Sequence, residues 1–391
     1  MAVKSTYRLV FLLILILAAI LVSSSFKQIR FFSSADEGYY FKYAVEIGNK
    51  GLSGFASLFK EYIQEEGHWV FPNPLRIGFI TLSAIWLKIF CSSFINLAYL
   101  SLFFYLLFLC TAYYFSKKFL GEAIGLLFII LLAFSPLQLA MARRILPESA
   151  ANLFSVLSIW LFWDFLQGKS KKKLIFFIAA YSFSILIKET CVLLIFIFAF
   201  FLLAEKFIFK KEIGLKEFVS ILFIPIIIVG LVYLALGCLP YLPDTIKIIL
   251  NSPKTNPYAI MFGSGPWYSC IIDYLLLSPG VVILAIGFIF YYFAKWKEEG
   301  KLPGYFIFVL LANFMLFSIL TKNVRYMILS DMPMRLFSLL MLYRIAQVIL
   351  PRKAILLTCL AVVLLAVIDY FNFYDLFVRG GIYDPVSFLL L

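Results

Sequence analysis

Residues 31–43 read FFSSADEGYYFKY and come soon after the first long apolar run of the chain. They lie in a polar and aromatic segment, residues 26–73, that is too polar to cross a bilayer. Within it Asp36 and Glu37 stand side by side, shortly after a predicted hydrophobic helix. Two adjacent carboxylates in such a place are either the solvated start of a helix or a functional site. The rest of the chain has to decide between these interpretations.

The composition indicates a membrane protein. Of the 391 residues, 64% are hydrophobic and only 14% are charged, whereas a soluble domain has about 25% charged residues. Apolar runs long enough to cross a hydrocarbon layer of about 30 Å recur along the chain. These runs are continuous and do not alternate with a period of two, which excludes a transmembrane barrel. The sequence therefore predicts an all-α polytopic membrane protein.

Charge and histidine content exclude several classes of function. The net charge is +13, but the basic residues stand in short clusters between apolar runs. This is typical of helical membrane proteins and argues against a nucleic-acid partner. His68 is the only histidine, so a histidine-rich zinc site is excluded. No GxxxxGK loop is present, which argues against an ATP-driven machine. A general base is therefore expected to be a carboxylate.

The distribution of lysine and arginine predicts the topology. Basic residues precede the run 9–22, which places the N-terminus in the cytoplasm. The segment 74–94 is apolar enough to cross the membrane, but Arg76 and Lys88 interrupt it. If it lies along the outer interface instead, the cytoplasmic loops hold roughly twice as many basic residues as the outer loops. We therefore expect an interfacial position for this segment.

This topology predicts about eleven transmembrane helices, with the N-terminus inside and the C-terminus outside. The first outer loop, residues 26–94, carries the acidic pair and short interfacial helices. The whole chain, residues 1–391, is predicted to form a single membrane domain. The expected spans are 9–22, 95–115, 122–140, 150–166, 174–187, 190–204, 218–238, 277–294, 305–320, 334–350 and 354–370.

The same topology collects unusual residues on the outer face. The later outer loops contain MARRILPES at 141–149, KE at 188–189, GPWY at 265–268 and NVRY at 323–326. Cations beside carboxylates on one side of a bilayer are what an anionic lipid phosphate and an attacking hydroxyl need together. Because these residues are all expected on the outer side of the membrane, the sequence favours a functional site over a set of unrelated helix ends.

These stretches resemble a known family. ADEGYYFKYAVEIGNKG, FPNPLR, ARRILPES, IKET, GPWY and NVRYMILSDMP follow one another over residues 35–333. In order, spacing and sidedness they resemble the GT-C glycosyltransferases. The closer resemblance is to the branch of dolichyl-phosphate-mannose protein mannosyltransferases and aminoarabinose lipid A transferases, glycosyltransferase family 39. The chain departs from that family at Pro72-Asn73-Pro74-Leu75, where His-Pro-Pro-Leu is frequent, and at Glu148, where Asp is common. A large C-terminal domain of the kind that often contacts acceptors is not expected.

The resemblance implies a GT-C-type helical bundle in the cell membrane that transfers one sugar. The donor would be a polyprenyl-phosphate-linked sugar, and the acceptor a hydroxyl of a protein, lipid or glycan on the non-cytoplasmic face. Asp36 would be the general base of an inverting displacement. Cations would stabilise the leaving lipid phosphate.

The resemblance also implies roles for particular residues. Asp36 and Glu37 form the catalytic pair. The substrate-binding residues are Arg143, Arg144, Glu148, Lys188, Arg325 and Tyr326. Among these, Arg143 is the alternate for Arg144 as a phosphate ligand, and the acidic residues Glu37 and Glu148 orient the cations or contact the acceptor.

Two alternatives remain at this point. Some relatives bridge carboxylates and donor phosphate with a divalent metal ion, but adjacent carboxylates resemble the metal-independent branch more closely. We therefore expect no metal and no other cofactor, with a divalent ion as the open alternative. The second alternative is a transporter or lipid-linked-sugar flippase, which would place charges near the bilayer midplane and break helices in paired positions. Most charges here lie at helix ends on one side, which favours interfacial chemistry.

Overall fold

The computed structural model describes residues 2–26, 35–207, 214–256, 260, 265–319 and 323–381. Residues 31–34 of the opening stretch therefore lie outside the described residues. All regular structure in the described ranges is helical, which confirms the predicted all-α class. None of the six cysteines, all of which are described, forms a disulfide.

The long helices follow the predicted apolar runs, and shorter ones form in the loops between them. Gly121, in the left-handed region at φ 89°, separates α5 from α6. The helices are α1 Ala2–Ser24, α2 Ala35–Lys50, α3 Gly54–Gln64, α4 Ile77–Phe90, α5 Phe94–Leu120, α6 Glu122–Ala133, α7 Pro136–Ala142, α8 Glu148–Gly168, α9 Lys171–Ile187, α10 Leu194–Phe207, α11 Leu215–Leu222, α12 Ile224–Ala235, α13 Leu242–Thr255, α14 Ser269–Leu277, α15 Pro279–Lys295, α16 Lys301–Ile319, α17 Ile328–Ile349 and α18 Ala354–Phe373.

Judged by length and composition, fewer of the described helices can cross a membrane than the sequence predicts. Among the described residues, eight helices are long and apolar enough to cross a membrane, or nine if the bent pair α6–α7 forms one span. Helices α9 and α15 have 17 residues each, about 25 Å, which is slightly short of a hydrocarbon core. The chain is a multi-pass membrane protein, and the count of eleven stays a prediction.

Contacts divide the chain into two compact units. Unit 1 consists of residues 1–29, 105–143 and 265–391, and unit 2 consists of residues 30–104 and 144–264. Each unit is therefore assembled from segments that are far apart in the sequence. The prediction of a single domain over residues 1–391 stays a prediction.

In unit 2, helix α2 packs against α4, and α8 pairs with α9. The contact face of α2 is buried at Tyr40, Tyr43, Ala44 and Ile47, which is the spacing of one helical face. Helix α4 has 14 residues, about 21 Å, so it is too short to cross a hydrocarbon core. Its length agrees with the interfacial position predicted for residues 74–94.

In unit 1, a buried arginine joins several helices. Arg335 of α17 donates from Nε to Asp331 Oδ1 over 2.9 Å and from Nη1 to Asp369 Oδ2 over 2.6 Å. The same guanidinium also donates to the carbonyl oxygen of Leu131 at 2.9 Å and to Ser278 Oγ at 3.1 Å. Arg335 has no exposed surface. A charge in such a place persists only when counter-charges and hydrogen bonds compensate its lost hydration.

The same network explains where the span α6–α7 breaks. The two helices meet at an angle of 63°. Ser135 stands at the break as the N-cap of α7, and Pro136 follows at the first helical position, where a missing N–H costs nothing. The Ser135 hydroxyl donates to Asp331 Oδ2 over 2.8 Å. The bend is therefore tied to the carboxylate that also holds Arg335.

Replacing Arg335 tests this network. In Arg335→Leu the carboxylates of Asp331 and Asp369 remain buried without their cation, so we expect a loss of about 3–5 kcal/mol in the free energy of unfolding. The matched control is Arg344→Leu in the same helix, since Arg344 pairs with Glu299 where its side chain is 36% exposed. That control is expected to lose less than about 1 kcal/mol. Thermal unfolding in detergent measures both, and equal losses would contradict the role of Arg335.

Candidate active site

Among the acidic residues of unit 2 that the structure describes, Glu37 is the most fully enclosed. It lies in the first turn of α2 and has no exposed surface. Its Oε1 accepts from Arg144 Nε and its Oε2 from Arg144 Nη2, both at 2.9 Å. Oε1 also accepts the backbone N–H of Ile145 at 2.9 Å. A bidentate pair of this kind fixes the guanidinium plane. Because both oxygens are occupied, Glu37 acts as an orienting group for Arg144.

A second buried ion pair joins Lys188 to Glu148. Lys188 Nζ lies 3.0 Å from Glu148 Oε1, and both residues are buried. Glu148 begins α8, where a carboxylate interacts favourably with the helix N-terminus, and Lys188 ends α9. Because α8 and α9 pair along their length, the start of one meets the end of the other. The predicted role of Glu148 in orienting a cation agrees with this contact.

Asp36 lies at the N-terminus of α2 and is half-buried. It precedes Tyr40 by one helical turn, so both occupy the same face. Burial raises the pKa of Tyr40 well above its usual value; Arg76 opposes this shift, and the carboxylates of Asp36 and Glu148 add to it.

A third ion pair, Arg76 with Glu189, was not among the predicted site residues. Arg76 donates from Nε to Glu189 Oε2 and from Nη2 to Glu189 Oε1, both at 2.9 Å. Its remaining nitrogen Nη1 donates to the Tyr40 hydroxyl. The only signal in the sequence was that FPNPLR and IKET contain these residues. In the sequence, Arg76 is merely a charge that interrupts an apolar segment.

The departure from the family at Pro72-Asn73-Pro74-Leu75 has a structural consequence. Asn73 Nδ2 donates to Glu189 Oε1 at 3.1 Å, and Asn73 Oδ1 accepts the N–H of Leu75 at 3.1 Å. In the same loop, the carbonyl oxygen of Pro72 accepts a hydrogen bond from the Tyr43 hydroxyl. Asn73 therefore folds the loop and holds Glu189 at the same time.

The two adjacent arginines of the 143–144 turn belong to different units. Arg143 is buried in unit 1, where it donates from Nη1 to the carbonyl oxygen of Phe377 at 2.9 Å and from Nη2 to that of Ser25 at 3.0 Å. Arg144 belongs to unit 2 and pairs with Glu37. The choice of Arg144 over its alternate Arg143 as a phosphate ligand stays a prediction.

Arg325 and Tyr326 also lie in unit 1. They form part of the 3₁₀ turn Val324–Met327, which Asn323 begins by accepting the N–H of Arg325 at 3.0 Å. The Arg325 guanidinium lies 5.3 Å from the ring centroid of Tyr326. Both side chains are half-buried. Their predicted participation in the same site as Asp36 stays a prediction.

One group in the described part of the chain has the side chains to hold a metal ion. Glu61, Glu65 and His68 have ligand atoms within 4.8 Å of one another, and such a donor set suits zinc. However, Lys42 Nζ already lies 3.0 Å from Glu61 Oε1, so a metal would have to displace this cation. Glu37 has both oxygens engaged and is not available as a metal ligand beside Asp36. The expectation of no metal stays a prediction.

Comparisons with known proteins agree with this architecture. Residues 77–233 match the family model of dolichyl-phosphate-mannose-protein mannosyltransferases. The fold is similar to that of an Archaeoglobus fulgidus oligosaccharyltransferase in the apo form, with a TM-score of 0.60 and 11% identity over 93% of this chain and 55% of that chain. That enzyme in complex with Zn and sulfate gives a TM-score of 0.57 and 12% identity over 92% and 52% of the two chains. No curated protein matches the chain in sequence.

A third structure, ArnT from Cupriavidus metallidurans in the apo state, is similar with a TM-score of 0.47 and 11% identity over 84% of this chain and 73% of that chain. This chain spans about half the length of the archaeal oligosaccharyltransferase. The match to the mannosyltransferase family covers Arg144, Glu148 and Lys188 but neither Asp36 nor Arg325. The predicted resemblance to GT-C glycosyltransferases is confirmed.

Removing the charge of Glu37 tests the central ion pair of unit 2. Glu37→Gln keeps the shape of the side chain but leaves the Arg144 guanidinium without its counter-charge. We expect a loss of about 3–5 kcal/mol in the free energy of unfolding. The matched control is Glu46→Gln in the same helix, because Glu46 pairs with the exposed Lys50, and it is expected to lose less than about 1 kcal/mol.

Thermal unfolding in detergent measures these variants. A double variant, Glu37→Gln with Arg144→Met, is expected to be more stable than Glu37→Gln alone, since it leaves no unpaired charge. Additive losses in the double variant would show that the two side chains do not depend on each other.

Proposed function

We propose that this chain, whose fold is that of the GT-C glycosyltransferases, is a membrane glycosyltransferase that uses a polyprenyl-phosphate-linked sugar. The sugar passes to a hydroxyl of a protein, lipid or glycan acceptor. The reaction takes place on the non-cytoplasmic face of the cell membrane, as the lysine and arginine distribution favours. The anomeric carbon is inverted in a single displacement.

One observation carries this proposal: unit 2 orients two cations through buried carboxylates, and one of these, Glu37, directly follows Asp36 in the sequence. Arg144 is held by Glu37 and Lys188 by Glu148, at N–O distances of 2.9 and 3.0 Å. Asp36 directly precedes Glu37, so the acid that fixes Arg144 also fixes the backbone from which Asp36 extends. A base and a phosphate-binding group are thereby available from neighbouring segments of the same unit.

Asp36 is the proposed general base. The acceptor hydroxyl attacks the anomeric carbon while its proton passes to the Asp36 carboxylate, and the bond from that carbon to the phosphate oxygen breaks. Of the two adjacent acids, Asp36 suits this role better because the oxygens of Glu37 already accept three N–H groups. A base must lie within hydrogen-bond reach of the proton that it accepts.

The leaving lipid phosphate gains negative charge in the transition state. Preorganised cations stabilise such charge best where water is scarce. Arg144 is 14% exposed and pairs with Glu37 through Nε and Nη2, so its Nη1 edge faces away from that acid. Lys188 and Arg325 are the other proposed phosphate ligands, and Tyr326 supports Arg325 through its ring.

The alternative is a lipid-linked-sugar flippase or transporter. The broken span α6–α7 and the buried charges around Arg335 favour this alternative, since discontinuous helices and buried charges mark many transporters. However, the Arg335 guanidinium makes hydrogen bonds to four different residues of unit 1, as a structural charge does. We therefore retain the transferase as the main proposal.

Replacing Asp36 tests the catalytic assignment. Asp36→Asn keeps the size of the side chain but cannot accept the acceptor proton, so we expect turnover to fall by about 10²–10⁴-fold with an unchanged melting temperature. The measurement incubates the purified protein with radiolabelled polyprenyl-phosphate sugars and membrane extracts as acceptors. Asp244→Asn, at an exposed position in α13, is the control. Normal turnover in Asp36→Asn would remove Asp36 from the mechanism.

Replacing Arg325 tests the phosphate assignment. Arg325→Ala removes a charge-assisted contact to the donor phosphate, so we expect the KM for the donor to rise about 10-fold or more. The KM for the acceptor should change little. Arg344→Ala, at the far end of α17, removes an equal charge from a pair with Glu299 and should leave both values unchanged. A donor KM equal to that of the wild type would separate Arg325 from the phosphate.

A further inference from the structure

Helix α13 is an amphipathic segment of unit 2 that lies outside the site described above. Its 14 residues, LPDTIKIILNSPKT, extend about 21 Å, so the helix is too short to cross a hydrocarbon core. It begins a few residues after the apolar stretch Leu215–Ala235, which is long enough to span a membrane. The start of α13 therefore lies near one surface of the bilayer.

A glycine turn separates α13 from the apolar stretch before it. Gly237 lies in the left-handed region at φ 68°. Its N–H donates to the carbonyl oxygen of Leu234, and the N–H of Cys238 donates to that of Tyr233. This pair of hydrogen bonds is the Schellman motif that ends many helices. The apolar helix therefore stops here, and α13 is a separate element that starts after the 3₁₀ turn 239–241.

One face of α13 packs on the protein. The helix contacts α3 and the 3₁₀ turn 239–241. With about 100° per residue, its covered positions fall on one side of the helix. Thr245 has no exposed surface, and the half-buried residues of this side are Ile248, Ile249 and Ser252.

An apolar strip beside this face remains uncovered in the described part of the chain. Ile246 is 46% exposed and Leu250 is 71% exposed. The two residues are one helical turn apart, so their side chains lie one above the other on the same face. Single exposed apolar residues are normal on a protein surface. Here two successive turns expose large aliphatic side chains along one line, close to the end of an apolar span.

The remaining side of α13 is polar and exposed. Lys247 and Lys254 lie next to the apolar strip, and Asp244 and Asn251 lie beyond them. The order around the helix is therefore protein contact, aliphatic residues, lysines, and then the acid and the amide. This order suits a helix at a bilayer surface. Aliphatic side chains can reach the acyl chains, while lysine side chains extend their ammonium groups to the headgroups.

We propose that α13 lies in the membrane–water interface, with Ile246 and Leu250 among the acyl chains and Lys247 and Lys254 at the phosphates of phospholipid headgroups. Lysine is depleted in the cores of protein–protein interfaces. Since two lysines border the narrow apolar strip, lipid fits this face better than a second copy of the chain does. Sugar transfer plays no part in this contact.

Fluorescence quenching measures the depth of the strip. The fluorescent amino acid acridonylalanine replaces Leu250 in one variant and Asn251 in another, in full-length protein reconstituted into nanodiscs of phosphatidylcholine and phosphatidylglycerol. Both positions are exposed, so they form a matched pair at nearly the same place along the helix. Lipids with doxyl groups on their acyl chains should quench the probe at residue 250 several-fold more than at residue 251, and iodide in the water should do the reverse.

Leu231 supplies the reference for contact with acyl chains, because it lies in α12 and is 57% exposed. The doxyl lipids should quench the probe at residue 250 to an extent that approaches the quenching at residue 231. Equal quenching of the probes at residues 250 and 251 by both agents would overturn the interfacial position.

Photo-cross-linking identifies what covers the strip. With p-benzoylphenylalanine in place of Ile246, irradiation of the same nanodiscs should yield a phospholipid adduct, detected by mass spectrometry. A cross-linked dimer of the chain, or a cross-link to another segment of the same chain, would overturn the assignment to lipid. Adding Lys247→Glu and Lys254→Glu should lower the share of phosphatidylglycerol in the adducts. An unchanged share would overturn the contact of the lysines with headgroup phosphates.

Discussion

The rest of the candidate site depends on the ion pair between Glu37 and Arg144. A carboxylate with no exposed surface is stable only where a cation and hydrogen-bond donors replace the lost water. Glu37 obtains both from a turn 107 residues further along the chain, so the start of α2 and the start of α8 must lie together. Asp36 precedes Glu37, and its direction is set by the same constraint.

Charge pairing recurs through unit 2 and limits what the cations can do. Arg144, Lys188 and Arg76 are each matched by a carboxylate at hydrogen-bond distance. Because an acid already balances each charge, these cations contribute oriented hydrogen-bond donors more than net positive charge. A leaving phosphate would have to share them with their acids.

The buried network of unit 1 uses the same physical rule for a different purpose. Arg335 is as enclosed as Glu37, but its partners Asp331, Asp369 and Ser278 lie on three elements of unit 1. Together with Ser135 they tie a 63° break in an apolar helix to the core. A buried charge can thus orient a reactive neighbour in one unit and stabilise a bend in the other.

The sequence by itself determined the membrane class and the helical content, because composition and periodicity are local properties of the chain, and it predicts a role for the acidic pair. It also singled out Glu148 and Lys188, whose motifs stand at helix ends. Only the tertiary structure showed that Arg143 and Arg144 have different partners, since Arg143 donates to the carbonyl oxygen of Phe377 and Arg144 to Glu37 although the two are adjacent. It also brought Arg76 to Glu189 across 113 residues. Local patterns carry no information on which distant charges meet, since that depends on how the helices pack.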